Sequence, residues 1–256
     1  MGERVLQNPI LVAAGAAERA RRMGTSEASV SNWPSARTER VLSVEAVMDV
    51  ERAVLWPDAD GEQPVAIDDG DAARAQEYLL LAMLLTRAPD AATLGRIARL
   101  HGDATPLGQA HLALAQAAEN ASDEKTEREF FNLFIGVGRG ALAPYGSYYL
   151  TGFLNERPLA RLRQDLRVLG IERTEGQAEP EDHAAVLCEI MSGLADGQFA
   201  VVPMAQQQFF ERHLVPWIGR FFTDLERAEA ADFYRHVGTV GRLFLEIETE
   251  AFALPT

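Results

Sequence analysis

Residues 71–88, DAARAQEYLLLAMLLTRA, are the stretch that decides the fold class. Ala, Leu, Glu and Arg, which have the strongest helix propensities, dominate this segment. Segments of the same character follow at 90–102, 105–120 and 122–136, with Gly or Pro near their ends. No alternating β-type run of useful length interrupts the chain, and neither internal repeats nor coiled-coil heptads occur. The sequence therefore predicts an all-α fold built as a single globular helical bundle.

The first 66 residues differ from this pattern because they mix small, charged and Pro- or Gly-containing segments. Only TERVLSVEAVMDVERAVLW, residues 38–56, shows helical periodicity there, and the following PDADGEQP ends it. We therefore predict a weakly ordered N-terminal extension over 1–66, with a short helix at 38–56. One all-helical domain is predicted over 67–256.

No segment of the chain predicts an export signal or a membrane helix. The apolar run NPILVAAGAA (8–17) is short, contains a proline and is followed by the basic segment ERARR, unlike a signal peptide. No apolar run approaches the roughly 20 residues that a membrane helix needs. We therefore expect a soluble, cytoplasmic protein without stable membrane insertion.

The net charge limits the kinds of partner that the protein can bind, and the cysteine content limits its disulfides. The formal net charge is −14, which repels nucleic acid and anionic lipid and favours a cationic partner. Nucleic acid is therefore not an expected partner. The one cysteine, Cys188, excludes an internal disulfide, and its apolar context VLCEIM predicts a buried thiol.

Residues 179–183, EPEDH, concentrate acidic side chains and a histidine around a proline. Pro180 suits the first position of a helix, where a missing N–H has no cost. The three acidic residues beside it would favour the positive end of the helix dipole. Helix-start chemistry thus explains most of the motif.

His183 heads the apolar stripe of the helix that follows, at helical spacing from Leu187, Ile190 and Leu194. It should therefore face the core or a cleft. Asp182 and His183 make a poor catalytic dyad because adjacent helical residues point about 100° apart.

Metal binding and catalysis have little support in the sequence. None of the histidines forms an HxxxH or HExxH pair, so we expect no catalytic metal and no catalytic residue. The histidines are His101, His111, His183, His213 and His236. One alternative stays open, a metal-dependent or acid/base enzyme that uses Asp182, His183 and His213; a second is a helical adaptor that binds a folded protein surface.

A glycine-containing loop and an aromatic segment occupy residues 136–153, GVGRGALAPYGSYYLTGF. The glycines lack the preceding strand and the Gly-Lys-Ser/Thr of a phosphate loop, so Gly136 is interpreted as the αL residue that ends the preceding helix. Tyr145, Tyr148 and Tyr149 surround Ser147 directly afterwards. Such residues suit a peptide-binding cleft, although ordinary packing is the commoner explanation for them.

Two strongly amphipathic segments end the chain. Residues 204–228 predict one long helix with a kink at Pro216. The last segment places apolar residues at helical spacing from Phe233 to Ile247. The two apolar faces predict a helical hairpin.

Three short motifs follow one another along the chain. Residues 129–136 read E-x-x-x-L-F-x-G, residues 144–149 read P-Y-x-S-x-Y, and residues 179–183 read E-P-x-D-H. In this order they resemble the TorD/DmsD/NarJ family of redox-enzyme maturation chaperones, over roughly residues 70–250. The resemblance implies an all-α fold without catalytic activity. We expect no bound cofactor. The resemblance also implies a partner, the precursor of a molybdenum-type redox enzyme, whose twin-arginine signal peptide or core is held until the enzyme's cofactor is inserted.

The resemblance carries a set of binding residues to this chain. They are Pro180, Asp182, His183, Tyr145, Ser147 and, through the first family helix, Tyr78. Carboxylates at this place would make charge-assisted hydrogen bonds to the guanidinium groups of a twin-arginine segment. Gly146 departs from the family pattern, as many relatives carry an acidic residue there, and the extension 1–66 has no counterpart. Either a monomer or a domain-swapped dimer is compatible with the sequence.

Overall fold

The computed structural model describes residues 11–13, 69–136, 140–173, 179–199 and 203–254. Its α-helices are α1 (Asp69–Thr86), α2 (Ala91–Ile97), α3 (Pro106–Asn120), α4 (Asp123–Phe130), α5 (Gly146–Thr151), α6 (Arg157–Leu169), α7 (Ala184–Ala195), α8 (Pro203–His213), α9 (Ile218–Arg227) and α10 (Phe233–Phe252). A π-helical turn, Phe131–Ile135, continues α4. Two short strands, β1 (Leu11–Ala13) and β2 (Ile171–Arg173), pair antiparallel. The predicted all-α class is confirmed.

Local capping explains where several helices begin and end. The side chain of Asp90 accepts a hydrogen bond from Thr93 N at 2.8 Å at the start of α2. Thr105 and Ser122 cap α3 and α4 in the same way. Gly170, with φ 72° and ψ 24°, ends α6 in the left-handed conformation that glycine adopts without strain.

The core is organised around α7, which packs lengthwise against α1. All residues of α7 except Ser192 are buried, as expected for a mostly apolar helix, and the charged Glu189 is buried with them. Leu80, Leu81 and Leu84 of α1 are fully buried. The prediction of a buried thiol at Cys188 is confirmed, and burial raises the pKa of that thiol far above its ordinary value.

The predicted hairpin at the end of the chain is confirmed as α9 and α10. A Cβ atom at Gly238 would lie 2.6 Å from the backbone nitrogen of Glu226, and one at Gly241 would lie 2.3 Å from the Phe222 ring. The two glycines therefore let the helices approach closely.

The single long helix predicted over 204–228 is wrong, because the chain forms α8 and α9 with a break between them. Residues 214–217 form turns, and Pro216 lies within them. Proline lacks the backbone N–H that would continue the helix, and its ring clashes with the preceding turn. The break is thus sharper than a kink.

Two other predicted helix ends are corrected. Helix α7 begins at Ala184 with His183 as its N-cap, so Pro180 lies in the turn before the helix and not at its first position. Gly136 has φ 52° but ψ 177°, so its φ is positive as predicted while its conformation is not αL. Its N–H donates to Phe131 O at 2.7 Å, which closes the wider π-type turn.

Within the described residues, no helix combines the length and the apolar character needed to cross a membrane. The helix predicted over 38–56 lies outside the described residues. The first described helix begins at Asp69.

Candidate functional site

The proline-aromatic segment and the EPEDH motif meet as one corner of the fold. Tyr145 and His183 form an isolated antiparallel β-bridge. Gly146 N donates to Asp182 O at 2.9 Å, and Ala184 N donates to Pro144 O at 2.8 Å. Five of the six predicted binding residues, namely Tyr145, Ser147, Pro180, Asp182 and His183, are therefore brought together here.

Asp182 holds the start of α5 from across the corner. Its Oδ2 atom accepts a hydrogen bond from Ser147 N at 2.7 Å, so the carboxylate satisfies one of the N–H groups that a helix start leaves unpaired. Asp182 is 3% exposed and Ser147 is 0% exposed. Among the described residues, neither Asp182 Oδ1 nor Ser147 Oγ has a hydrogen-bond partner. Buried polar atoms without a hydrogen-bond partner are uncommon, and both of these atoms could accept a hydrogen bond from a donor group that reached them.

His183 caps the start of α7 with its ring. Its Nδ1 atom accepts a hydrogen bond from Ala185 N at 3.1 Å, so this nitrogen carries no proton and the neutral ring has its proton on Nε2. Burial lowers the pKa of His183 to about 4, although the Glu179 carboxylate acts in the opposite direction. The ring is therefore uncharged at neutral pH.

We expect His183→Asn to flatten the pH dependence of stability. The pKa of His183 is about 4 in the folded protein against 6.5 ordinarily, so the unfolded chain binds more protons between these values and stability falls as the pH drops through this window. Asparagine keeps an N-cap acceptor but does not titrate. Between pH about 7 and about 4, the variant should lose about 2–3 kcal/mol less unfolding free energy than the wild type. Urea unfolding across pH measures this, and parallel curves for the two proteins would contradict it.

Tyr145 covers the outer side of the corner. Its ring lies edge-on to the His183 ring, with centroids 5.0 Å apart, and its hydroxyl donates to the Glu179 carboxylate. Burial, then the bond to Glu179, raise the pKa of Tyr145 well above its ordinary value. Glu179 itself is exposed, and Pro180 is half-buried beside it.

Glu181 forms an ion pair with Arg163 of α6. Its Oε2 atom lies 2.9 Å from Arg163 Nε and 2.8 Å from Arg163 Nη2, so a guanidinium of α6 already neutralises this carboxylate. The pairing raises the pKa of Arg163. Nothing in the sequence signals this partner, because Arg163 belongs to another helix.

Trp217 explains why glycine occupies position 146. A Cβ atom at Gly146 would lie 3.0 Å from Trp217 Nε1 and 3.2 Å from Cε2. The indole is fixed, since Nε1 donates to His213 O at 2.8 Å. Tyr149 packs on the same indole, with ring centroids 5.5 Å apart, and its hydroxyl donates to Asp224 at 3.1 Å. Packing against Trp217 thus leaves little room for a side chain at position 146.

Gly146→Ala should destabilise the protein by about 1–2 kcal/mol, because the added methyl group overpacks against an indole that cannot move freely. Gly95→Ala is the matched control, since a Cβ atom there meets nothing within 4 Å. That change should be neutral or stabilising by up to about 1 kcal/mol. Urea unfolding of both variants tests the difference, and equal stabilities would contradict the close approach.

The sixth predicted binding residue, Tyr78, lies in a separate buried cluster. It is 0% exposed, and its hydroxyl donates to Glu248 Oε2 at 2.9 Å. Glu248 also binds Arg74, whose Nε and Nη2 atoms each lie 2.8 Å from a different carboxylate oxygen. A role of Tyr78 in binding stays a prediction.

His213 pairs with neither Asp182 nor His183. Its Nε2 atom lies 2.8 Å from Asp165 Oδ2, and Arg212 binds the same carboxylate at 3.0 Å. Burial lowers the pKa of His213, against the effect of Asp165. In the part of the chain that the structure describes, no three His, Cys, Asp or Glu side chains are grouped to hold a metal ion. The three residues of the enzyme alternative thus have other contacts, and that alternative is not favoured.

Comparisons with known proteins found a matching family and several similar chains. The profile of the family described as nitrate reductase delta subunit matches residues 100–223. The chaperone protein TorD of Vibrio cholerae strain O395 is 27% identical over 127 residues, which cover 46% of this chain and 58% of that protein. The Tat proofreading chaperone DmsD of Salmonella typhimurium is 31% identical over 144 residues, or 55% of this chain and 69% of that protein.

A solved structure is also similar. It is a proposed redox enzyme maturation protein of Archaeoglobus fulgidus, with 22% sequence identity and a TM-score of 0.47, and the match covers 74% of this chain and 99% of that one. The first curated relatives are matched over less than two thirds of their length, 58% for the Vibrio cholerae protein. Since the match to the Salmonella typhimurium protein exceeds two thirds of its length at 31% identity, the chain belongs to the TorD/DmsD/NarJ family of redox-enzyme maturation chaperones.

Proposed function

We propose that this protein is a system-specific cytoplasmic chaperone for a molybdenum-type redox enzyme. It binds the twin-arginine signal peptide or the core of the precursor and holds it until cofactor insertion and folding are complete, before export. The observation that carries the proposal is the kinship with chaperones named TorD and with a Tat proofreading chaperone. The corner of Tyr145, Ser147, Pro180, Asp182 and His183 is assigned a binding role, with no catalytic step.

The chemistry of the corner suits a cationic segment followed by an apolar one. Carboxylates at 179 and 182 supply acceptors for guanidinium groups. Apolar side chains are exposed in the last turn of α5 and just after it: Leu150 at 44%, Phe153 at 66% and Leu154 at 47%. A signal peptide combines two arginines with an apolar core, and an apolar surface beside an acidic corner would take both parts.

Binding should weaken as salt rises, because part of the attraction joins exposed charges. We expect the affinity for a twin-arginine leader peptide to fall about tenfold between about 0.05 M and about 0.5 M NaCl, where the screening length drops from above 10 Å to a few Å. Fluorescence anisotropy with labelled leader peptides from the redox enzymes of the source genome measures this. An affinity that does not change with salt would count against the acidic corner as the contact.

The same assay separates this function from that of an adaptor for folded surfaces. An unlabelled leader peptide should displace a captured precursor from the chaperone if both use the corner. Retention of the precursor at saturating peptide would favour the adaptor, because a folded surface would then supply the contact.

A further inference from the structure

The three acidic residues of the EPEDH motif differ in what they can offer to a ligand. Asp182 is buried and bonded to Ser147 N. Glu181 is bound by Arg163. Glu179 is exposed, and no basic side chain among the described residues pairs with it. A cation that arrives from solvent therefore meets the Glu179 carboxylate first.

In the structure, the Tyr145 hydroxyl donates a hydrogen bond to the Glu179 carboxylate. Tyr145 is held from the other side by its backbone bridge to His183 and by the edge-on contact of the two rings. Its side chain therefore spans the corner from the neutral histidine to the exposed glutamate. Asp182 lies beside Tyr145, because the next residue, Gly146, donates its N–H to Asp182 O at 2.9 Å.

Unpaired polar atoms lie further in. Asp182 Oδ1 and Ser147 Oγ belong to side chains with 3% and 0% exposure, and within the described chain neither atom has a hydrogen-bond partner. A guanidinium group has five N–H donors in one plane and can bond to several oxygens at once. An ammonium group is a compact point charge that lacks this planar fork.

We propose that Glu179 is the outer contact for an arginine of the client and that the Tyr145 hydroxyl is a latch on it. The arriving guanidinium replaces the Tyr145 hydroxyl as the hydrogen-bond donor to the Glu179 carboxylate, and the phenol moves aside. N–H groups of the two arginines then reach Asp182 Oδ1 and Ser147 Oγ. This inference rests on the proposed function. It adds a binding residue, Glu179, and predicts that the site prefers an arginine to a lysine.

Two variants with opposite expected effects test the latch. Glu179→Gln keeps an acceptor for the Tyr145 hydroxyl but removes the charge, so it should weaken binding of a twin-arginine leader peptide about tenfold. Tyr145→Phe keeps the ring on His183 but removes the competing hydroxyl, so it should strengthen binding about threefold. The double variant should bind like Glu179→Gln alone. Once the charge at position 179 is removed, the Tyr145 hydroxyl no longer competes with the arginine for a carboxylate.

The probes are synthetic leader peptides from the source genome, each paired with a counterpart in which both arginines are lysines. Glu124→Gln, an exposed glutamate on α4, is the control for net charge and should change affinity by less than about twofold. The wild type should prefer arginine peptides about tenfold, and Glu179→Gln should lose most of that preference.

The outcomes distinguish the inference from the function on which it rests. Unchanged binding by Glu179→Gln, with normal binding by the wild type, would overturn the role of Glu179 and leave the chaperone function intact. Weaker binding by Tyr145→Phe would overturn the latch, since the hydroxyl would then contact the client directly. Failure of the wild type to bind any leader peptide would overturn both the inference and leader recognition itself.

Discussion

Replacement of Glu248 by alanine is expected to lower the free energy of unfolding by about 3–5 kcal/mol, because it removes the carboxylate that binds a buried guanidinium through two nitrogens and leaves only the partly buried Asp71 as a counter-charge. Glu248 is 0% exposed and Arg74 is 4% exposed. Both carboxylate oxygens bind Arg74 at 2.8 Å, and one also accepts from the Tyr78 hydroxyl. This network ties α10 to α1, which in turn packs on α7.

Urea unfolding at neutral pH measures that loss. Glu246→Ala is the matched control on the same helix, because the Glu246 side chain is 58% exposed and pairs only at the surface with Arg242. It should cost less than about 1 kcal/mol. Tyr78→Phe removes only one bond of the network and should cost about 1–2 kcal/mol. A loss below 1 kcal/mol for Glu248→Ala would show that the buried pair contributes little.

Glu129→Ala is the second large effect, with an expected loss of about 2–3 kcal/mol. Its carboxylate accepts hydrogen bonds from Asp232 N at 2.8 Å, Phe233 N at 3.1 Å and Tyr234 N at 2.7 Å. These N–H groups open α10, where no side chain from within the helix caps them. Burial raises the pKa of Glu129 although these bonds lower it.

Glu127→Ala, on the exposed face of α4, removes the same charge without the cap and should be nearly neutral. Glu129→Gln retains an oxygen acceptor and should recover part of the stability. Hydrogen exchange provides a local readout: the amides of residues 232–234 should exchange faster in Glu129→Ala than in Glu127→Ala. Equal exchange in the two variants would contradict the capping role.

Glu248 and Glu129 also show which kind of contact cannot be predicted from the sequence. The first four helices after Asp69, the buried Cys188 and the final hairpin follow from local propensity and periodicity, and all are observed. Glu129 was recognised only as part of a motif. Its actual partners lie more than 100 residues away, and no local pattern encodes such a pairing.

The sequence predicted which residues belong to the corner but not how they contact one another. The helix-start interpretation placed the capping role on Pro180 and the acids around it, whereas the caps are His183 for α7 and Asp182 for α5. Asp182 caps a helix that precedes it by 35 residues, so the contact depends on the tertiary fold. Trp217 and Arg163 were missed for the same reason, since each reaches the corner from another element.

Co-purification of the client tests the central claim most directly. The tagged full chain would be expressed in its source organism during anaerobic respiration, beside an Asp182→Asn/His183→Asn variant. Asparagine keeps a capping acceptor at both positions, so urea unfolding should show a folded variant. We predict that mass spectrometry finds one large redox-enzyme subunit with an uncleaved twin-arginine leader bound to the wild type and strongly depleted from the variant. Recovery of no such precursor with the wild type, or equal recovery with the folded variant, would contradict the account.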